Sequence, residues 1–452
     1  MVRRINNWVV YIVLVLMMAC LVSCSANEKG PSGNSIGVHT IEHVKLAWRN
    51  DYSGTENGYY RFFPWQIGDM YEEESPWIFR ANLAYMDIQS RCFVYLCNVP
   101  GCMHNNESCT SYIRASGDLS IFPSYDESKI YLLSKGADNG EVYTEDDLGA
   151  IIEANPDGSS RKRLYQLRAN ECFSVDSRVA VSENYIYVTL QVIDKAETGV
   201  KKYLYRFSTL GDRYERLLEL GIDDYIFAAH DEELIITQCS YDANAIKPGA
   251  VIEPVISQFA YNVNTGKTKE ISEPGKAYNT EYMGTLYRVV IGETIKGAQV
   301  TASTYMDIPI SYDIYRYSFE TSREEKLGSI SLPTEPDGFS TISIYSHYAF
   351  ATYYEKDSNH ERRVVLDFDT GDQKELQLSL LNNPERKIRI LYENRDSFVV
   401  ISDQIDSTIT LTDEYGTAHV YDFPDKAVYS LMSKEDFFND IPEYLTINDL
   451  IA

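Results

Sequence analysis

Four residues of this chain have the types and spacing to hold a metal ion: Cys97, Cys102, His104 and Cys109. They lie in the run Cys97-Asn98-Val99-Pro100-Gly101-Cys102-Met103-His104, closed five residues later by Cys109. Three thiolates and an imidazole make a complete tetrahedral zinc shell, with no position left for a water nucleophile. The loop is short, and Gly101 lets it bend back so that its donors converge. A disulfide is the competing chemistry. Cys97 with Cys109, or Cys102 with Cys109, would staple the same loop, and Cys92 is a further partner. With Cys20 and Cys24 set aside, six cysteines remain: 92, 97, 102, 109, 172 and 239. Cys172 and Cys239 fall in different repeats and read as buried thiols. His104 beside Cys109 also has the composition of a base and thiol nucleophile, but no orienting acid accompanies them. On either main reading, a structural Zn or a disulfide, the loop is scaffold rather than a catalytic centre.

Elsewhere the chain carries no motif that specifies a reaction. There is no Gly-x-Ser-x-Gly elbow, no His-Glu-x-x-His, no phosphate-binding glycine loop and no Asp-x-Asp-x-Asp-Gly calcium loop. The other histidines, His39, His43, His230, His347, His360 and His419, are scattered, and His230 and His360 read as exposed turns. With 67 acidic residues, a pair of carboxylates has no meaning without coordinates. The formal charge of −26 and pI near 4.7 argue against nucleic acid, which is bound by Lys and Arg on phosphates. The same charge argues against general adhesion to anionic lipid or cell wall.

The elements that must position the Cys/His loop repeat along the chain. An alternating strand, a small polar turn and a charged strand recur at 150–158, 203–211, 259–266, 314–322, 364–371 and 419–425. The turn positions 158, 211, 266, 322, 371 and 425 are separated by 53, 55, 56, 49 and 54 residues. Gly or a small polar residue stands there because tight hairpin turns need positive φ. A second apolar strand precedes each hairpin, at 129–133, 185–189, 234–237, 286–290, 349–353 and 397–401, and reads as an inner strand of the same sheet. Four strands in roughly fifty residues, repeated, predict an all-β chain folded as a β-propeller of four-stranded antiparallel blades. Segments 58–63, 83–88 and 92–96 start the first blade, and the six hairpins bring the count to seven. An eighth blade follows only if 39–48 builds its own; that segment is expected instead to add a strand to the last blade and close the ring. The 36 tyrosines follow the strands, where a ring can be buried while its hydroxyl stays wet. Ser433 is expected to cap one short helix over 433–439. No linker divides the repeats, so 37–452 reads as one propeller domain with the loop 97–109 inserted in its first blade.

The first residues set the location. Arg3 and Arg4 precede an apolar run over 8–22, and Leu21-Val22-Ser23-Cys24 ends it. This is the pattern of a secretory signal, and its last four residues resemble the bacterial lipobox. That resemblance implies cleavage after residue 23 and a diacylglyceryl group, with fatty acylation such as palmitate, on Cys24. The apolar run has fifteen residues, whereas a spanning helix needs about 20. Residues 24–36 are polar and read as a flexible linker. The implied protein is membrane-anchored through Cys24 and faces the extracellular side.

The lipobox, the strand ending Leu96-Cys97, the Pro100-Gly101-Cys102-Met103-His104 run and Cys109 together resemble an uncharacterised Firmicutes (Clostridia-type) lipoprotein family with a propeller-like repeat domain. The resemblance implies no activity. The leading expectation is a non-catalytic binding or scaffold propeller whose ligand is a glycan, a peptide or an envelope protein. The alternative is a propeller-type glycoside hydrolase or lyase acting on extracellular polysaccharide, which requires carboxylates about 5–10 Å apart at the channel mouth. A third expectation, assembly of the envelope, requires a protein partner and no small ligand.

Overall fold

The computed structural model describes residues 45–448, apart from 50–53, 65–70, 73–74, 105–107, 117–118, 137–147, 175–177, 195–198, 242–253, 297–298, 302–303, 306, 359 and 413–417. The signal segment 1–23, Cys24, the linker 24–36, His39 and His43 lie outside the described residues. The chain divides into Met1–Glu42 and His43–Ala452, and the second unit carries the fold.

Among the described residues, seven antiparallel sheets of four or more strands follow one another along the chain, with two further two-stranded ribbons, and the protein is an all-β, seven-bladed propeller. Blade 1 pairs Gly54–Thr55, Gly58–Pro64 and Ser75–Asp87. Its outer position is shared by Cys92–Tyr95 and Tyr112–Ser116, both paired to Ser75–Asp87. Blade 2 is Leu119–Pro123, Ile130–Ser134, Ala150–Ala154 and Lys162–Gln166. In blade 3, Val179–Val181 leads into Tyr185–Asp194, Gly199–Ser208 and Tyr214–Leu220. Blades 4 to 6 begin at Tyr225–His230, Thr280–Tyr282 and Thr341–Tyr345. Blade 7 is Arg389–Glu393, Ser397–Thr412, Ala418–Ser433 and Leu445–Thr446.

The outer hairpins turn where the repeat predicts. Gly158, Gly211, Gly266, Ser322 and Gly371 all have φ between 52° and 78°. The residue opening the turn supplies the local chemistry. Asp367 accepts from the backbone N–H of Asp369 at 2.8 Å through its carboxylate, and from Gly371 N–H at 2.9 Å through its carbonyl. Asn262 does the same for Asn264, Thr265 and Gly266. These Asx turns leave only the left-handed residue to be filled by glycine.

Three expectations are corrected. The apolar strands read as inner ones are not the innermost; shorter strands such as Thr280–Tyr282 lie inside them, and in blade 3 Val179–Val181 and then Ala47–Arg49 do so. The turn expected at 425 is a bulge inside Ala418–Ser433. Ile405 pairs with Lys426 and Ser407 with Phe423, so Pro424 and Asp425 oppose a single residue. Proline lacks the ladder N–H and is accommodated at such a bulge. Finally, Ala47–Arg49 does not join the last blade but pairs with Val179–Val181 of blade 3. Blade 7 has no vacancy for it, because Leu445–Thr446 already supplies the fourth strand.

The ring therefore closes by packing and by a single backbone bridge from Asn448 to Cys92. Tyr59, Met86 and Phe93 of blade 1 bury against Val399, Tyr429 and Ile447 of blade 7 and its tail. Tyr392 donates to Thr55 O at 2.6 Å and Arg61 to the Tyr429 hydroxyl at 2.8 Å. Asn448 bridges to the outer strand of blade 1, giving its N–H to Arg91 O at 2.9 Å and accepting from Phe93 N–H at 3.1 Å. The expected helix is present as Lys434–Phe438, with Ser433 as N-cap accepting from Asp436 N–H. Among the described residues no helix is long and apolar enough to cross a membrane.

Candidate metal centre

The Cys/His loop interrupts the outer strand of blade 1. Both stumps of that strand are pinned in the core shared with blade 2: Leu96 and Ile113 pack with Leu119, Ile121, Ile130 and Leu132. The loop leaves and re-enters the sheet from fixed points, which limits how far its ligands can wander. Within it, Cys102 N–H reaches Val99 O at 3.2 Å over a turn with Gly101 at φ 72°. His104 is itself left-handed at φ 57°. That conformation is costly for a residue with a Cβ. Asn82, buried on Ser75–Asp87, holds it by donating to His104 O at 2.7 Å. Cys109 O accepts from Tyr112 N–H at 3.0 Å and closes the loop.

The structure brings all four predicted ligands together. One donor atom from each of Cys97, Cys102, His104 and Cys109 lies within 4.8 Å of the others. A zinc ion with Zn–S near 2.3 Å and Zn–N near 2.0 Å sets its ligand atoms about 3.5–3.8 Å apart at tetrahedral angles, so small rotamer changes complete the shell. His104 Nδ1 is 3.2 Å from Cys109 Sγ, which identifies the nitrogen facing the cluster. The other face of the imidazole is packed against Tyr95, with ring centroids 4.4 Å apart. Cys109 is buried, the other three are half-buried, and Ser111 Oγ sits 2.9 Å from Cys109 Sγ. The donor set suits a soft divalent ion.

The thiols differ in basicity. Burial raises the Cys97 thiol, but hydrogen bonds from the Thr110 hydroxyl and from the backbone at Val99 and Thr110 outweigh it and bring it to about 6. For Cys102, the His104 N–H at 3.4 Å favours the thiolate, yet desolvation and the adjoining thiols of Cys109 and Cys97 push it up. Cys92, Cys97, Cys102, Cys109, Cys172 and Cys239 are all free thiols. Cys92 stands apart from the cluster, beside Ser90 Oγ at 3.1 Å.

Three features were not read from the sequence. His347, Asp367 and Asp369 also converge, but on an exposed turn where Asp367 is occupied with backbone N–H groups. Arg161 of blade 2 reaches the Cys/His loop, donating to Tyr112 O at 2.5 Å and to Thr110 O. A cavity of about 600 Å³ opens in the channel, lined by Leu46–Arg49 and by the inner strands of blades 4 to 7. Its acids are Asp231, Glu281 and Glu393. Burial raises the Glu281 carboxyl. Glu393 is paired with Lys434 at 2.6 Å and accepts from the Tyr282 hydroxyl at 2.5 Å. His230 lies at the same cavity and stacks on Phe319 with ring centroids 3.8 Å apart.

No family model matches the chain, and no curated protein matches it. Solved propellers are similar in fold only. The β-propeller domain of the Trilobed protease from Pyrococcus furiosus is 11% identical, with 88% of this chain and 98% of that one covered and a TM-score of 0.43. Oligogalacturonate lyase from Vibrio parahaemolyticus is 11% identical over 84% of this chain and 90% of its own, with a TM-score of 0.40. An acylaminoacyl peptidase from Pyrococcus horikoshii is 12% identical, with 86% of this chain and 55% of that one covered and a TM-score of 0.39.

Proposed function

We propose that this protein is a membrane-anchored extracytoplasmic lipoprotein, tethered through Cys24, whose propeller is a non-catalytic binding or scaffold platform. A structural zinc ion on Cys97, Cys102, His104 and Cys109 pins the loop of blade 1. The ligand is a glycan, a peptide or an envelope protein. The observation that carries this reading is the convergence of a complete Cys₃His donor set on the outer strand of a blade, away from the channel. Four protein ligands leave no open coordination position, so such a centre orders a loop and performs no hydrolysis. The resemblance to the lipoprotein family and the lipobox support the tether. A polysaccharide hydrolase calls for two free carboxylates across the channel. Of the three acids there, Glu393 is already committed to Lys434 and Tyr282, which leaves Asp231 and Glu281 as the pair that reading would need.

The test is metabolic labelling of the full chain with an alkyne palmitate in a bacterial host. Label and membrane fractionation should both disappear with Cys24→Ala. The anchored protein, incubated with polysaccharides and peptides, should release no new reducing or amino ends. Turnover of either substrate contradicts the non-catalytic reading, and unlabelled wild type contradicts the anchor.

A further inference from the structure

We propose that Arg161, contributed by blade 2, is the charge partner and positioning residue of the blade 1 metal cluster; this rests on the metal reading of Cys97, Cys102, His104 and Cys109. Three thiolates, a neutral imidazole and a divalent ion carry one net negative charge. A half-buried anion needs a cation close by or it loses stability. Arg161 precedes the strand Lys162–Gln166 and is directed out of its own blade. Its Nε donates to Gly158 O at 3.2 Å, its Nη1 to Tyr112 O at 2.5 Å, and its Nη2 to Thr110 O. The guanidinium thus grips the backbone on both sides of Ser111, directly after Cys109. Burial lowers its pKa and the charge of Cys109 acts in the opposite direction, so the two attract. A planar fork with fixed donors suits this three-point grip, which an ammonium on a flexible stem cannot reproduce.

The arrangement makes a testable distinction between a clamp and a charge partner. A clamp stabilises the loop whether or not metal is bound; a charge partner matters most when the anionic cluster has formed. Zinc affinity is measured on the full chain in detergent by competition with a chromophoric chelator, and thermal stability is measured with and without zinc. Arg161→Met should weaken zinc binding about 10–100-fold, the range for partners of metal ligands. It should shrink the stabilisation that zinc confers more than it lowers the metal-free stability. Arg161→Lys, which keeps the charge, should recover part of the affinity, and Arg161→Gln, which keeps donors without charge, should recover less. Should the Met variant fail to fold, the Lys and Gln variants carry the comparison. Affinities within twofold of wild type, or equal losses of stability with and without zinc, overturn the proposal while leaving the metal site standing. A wild-type chain that takes up no zinc overturns both.

Discussion

Gly158, in the turn of blade 2, lies against Leu96, the residue before candidate ligand Cys97, and Gly158→Ala tests whether that contact positions the loop. Gly158 has φ +78°, and a Cβ there would stand 2.7 Å from both Leu96 Cβ and Leu96 O. The left-handed backbone alone costs an L-residue about 1–2 kcal/mol. Relieving the overlap moves Leu96, which precedes ligand Cys97, and overpacking of this kind costs about 1–3 kcal/mol more. Gly371 provides the control: its φ is +74°, but nothing lies within 4 Å of the added Cβ. Gly371→Ala should therefore show the backbone cost and nothing else. Hydrogen exchange read by mass spectrometry separates the two at the amides of Cys97 and Tyr112, which bond to Tyr95 O and Cys109 O. In Gly158→Ala these amides should lose about tenfold or more of their protection, since each 1.4 kcal/mol is about a factor of ten. In Gly371→Ala they should be unchanged, with loss confined to blade 6. Equal protection of Cys97 and Tyr112 in the two variants would refute the idea that blade 2 holds the metal loop in place.

In the metal-free chain, iodoacetamide should modify Cys97 with a half-maximal rate near pH 6 and Cys102 only at distinctly higher pH; peptide mapping across pH 5–10 reads this, and a shared midpoint contradicts the geometry. Because the folded Cys97 thiol lies below its unfolded value of about 8.5, its thiolate adds stability that is full above that value. The contribution shrinks as pH falls and is gone below about 6, a trend that Cys97→Ser should remove from the pH profile of unfolding. Ser433→Ala removes the cap that accepts Asp436 N–H at 2.9 Å and should cost about 1 kcal/mol, seen as faster exchange confined to Lys434–Phe438.

What was legible in the sequence was whatever is local. The turns at Gly158, Gly211, Gly266, Ser322 and Gly371 are each decided within five residues, so glycine or serine after an Asx or Ser residue reveals them. The four candidate ligands Cys97, Cys102, His104 and Cys109 lie within thirteen residues of one another and read as a set. The shortest inner strands leave no signature, because three residues, as in Thr280–Tyr282, are too few to show a period. Pro424 misled for the opposite reason: Phe-Pro-Asp has turn composition, and only the partner strand shows that it is a bulge. Arg161 lies 49 residues from Tyr112 and 51 from Thr110 in sequence, and nothing in its neighbours marks it. Ala47–Arg49 likewise finds its partner more than a hundred residues away, through backbone pairing that carries no side-chain signature.

The central claim is that Cys97, Cys102, His104 and Cys109 bind one zinc ion that orders the loop of blade 1. Intact mass of the folded chain, purified without oxidant and compared under native and denaturing conditions, tests it most directly. A single zinc-sized excess that disappears on denaturation is predicted, lost in His104→Ala and kept in His347→Ala. A native mass without excess, lighter by two hydrogens for each bridge formed, would contradict the claim and make the loop a disulfide staple.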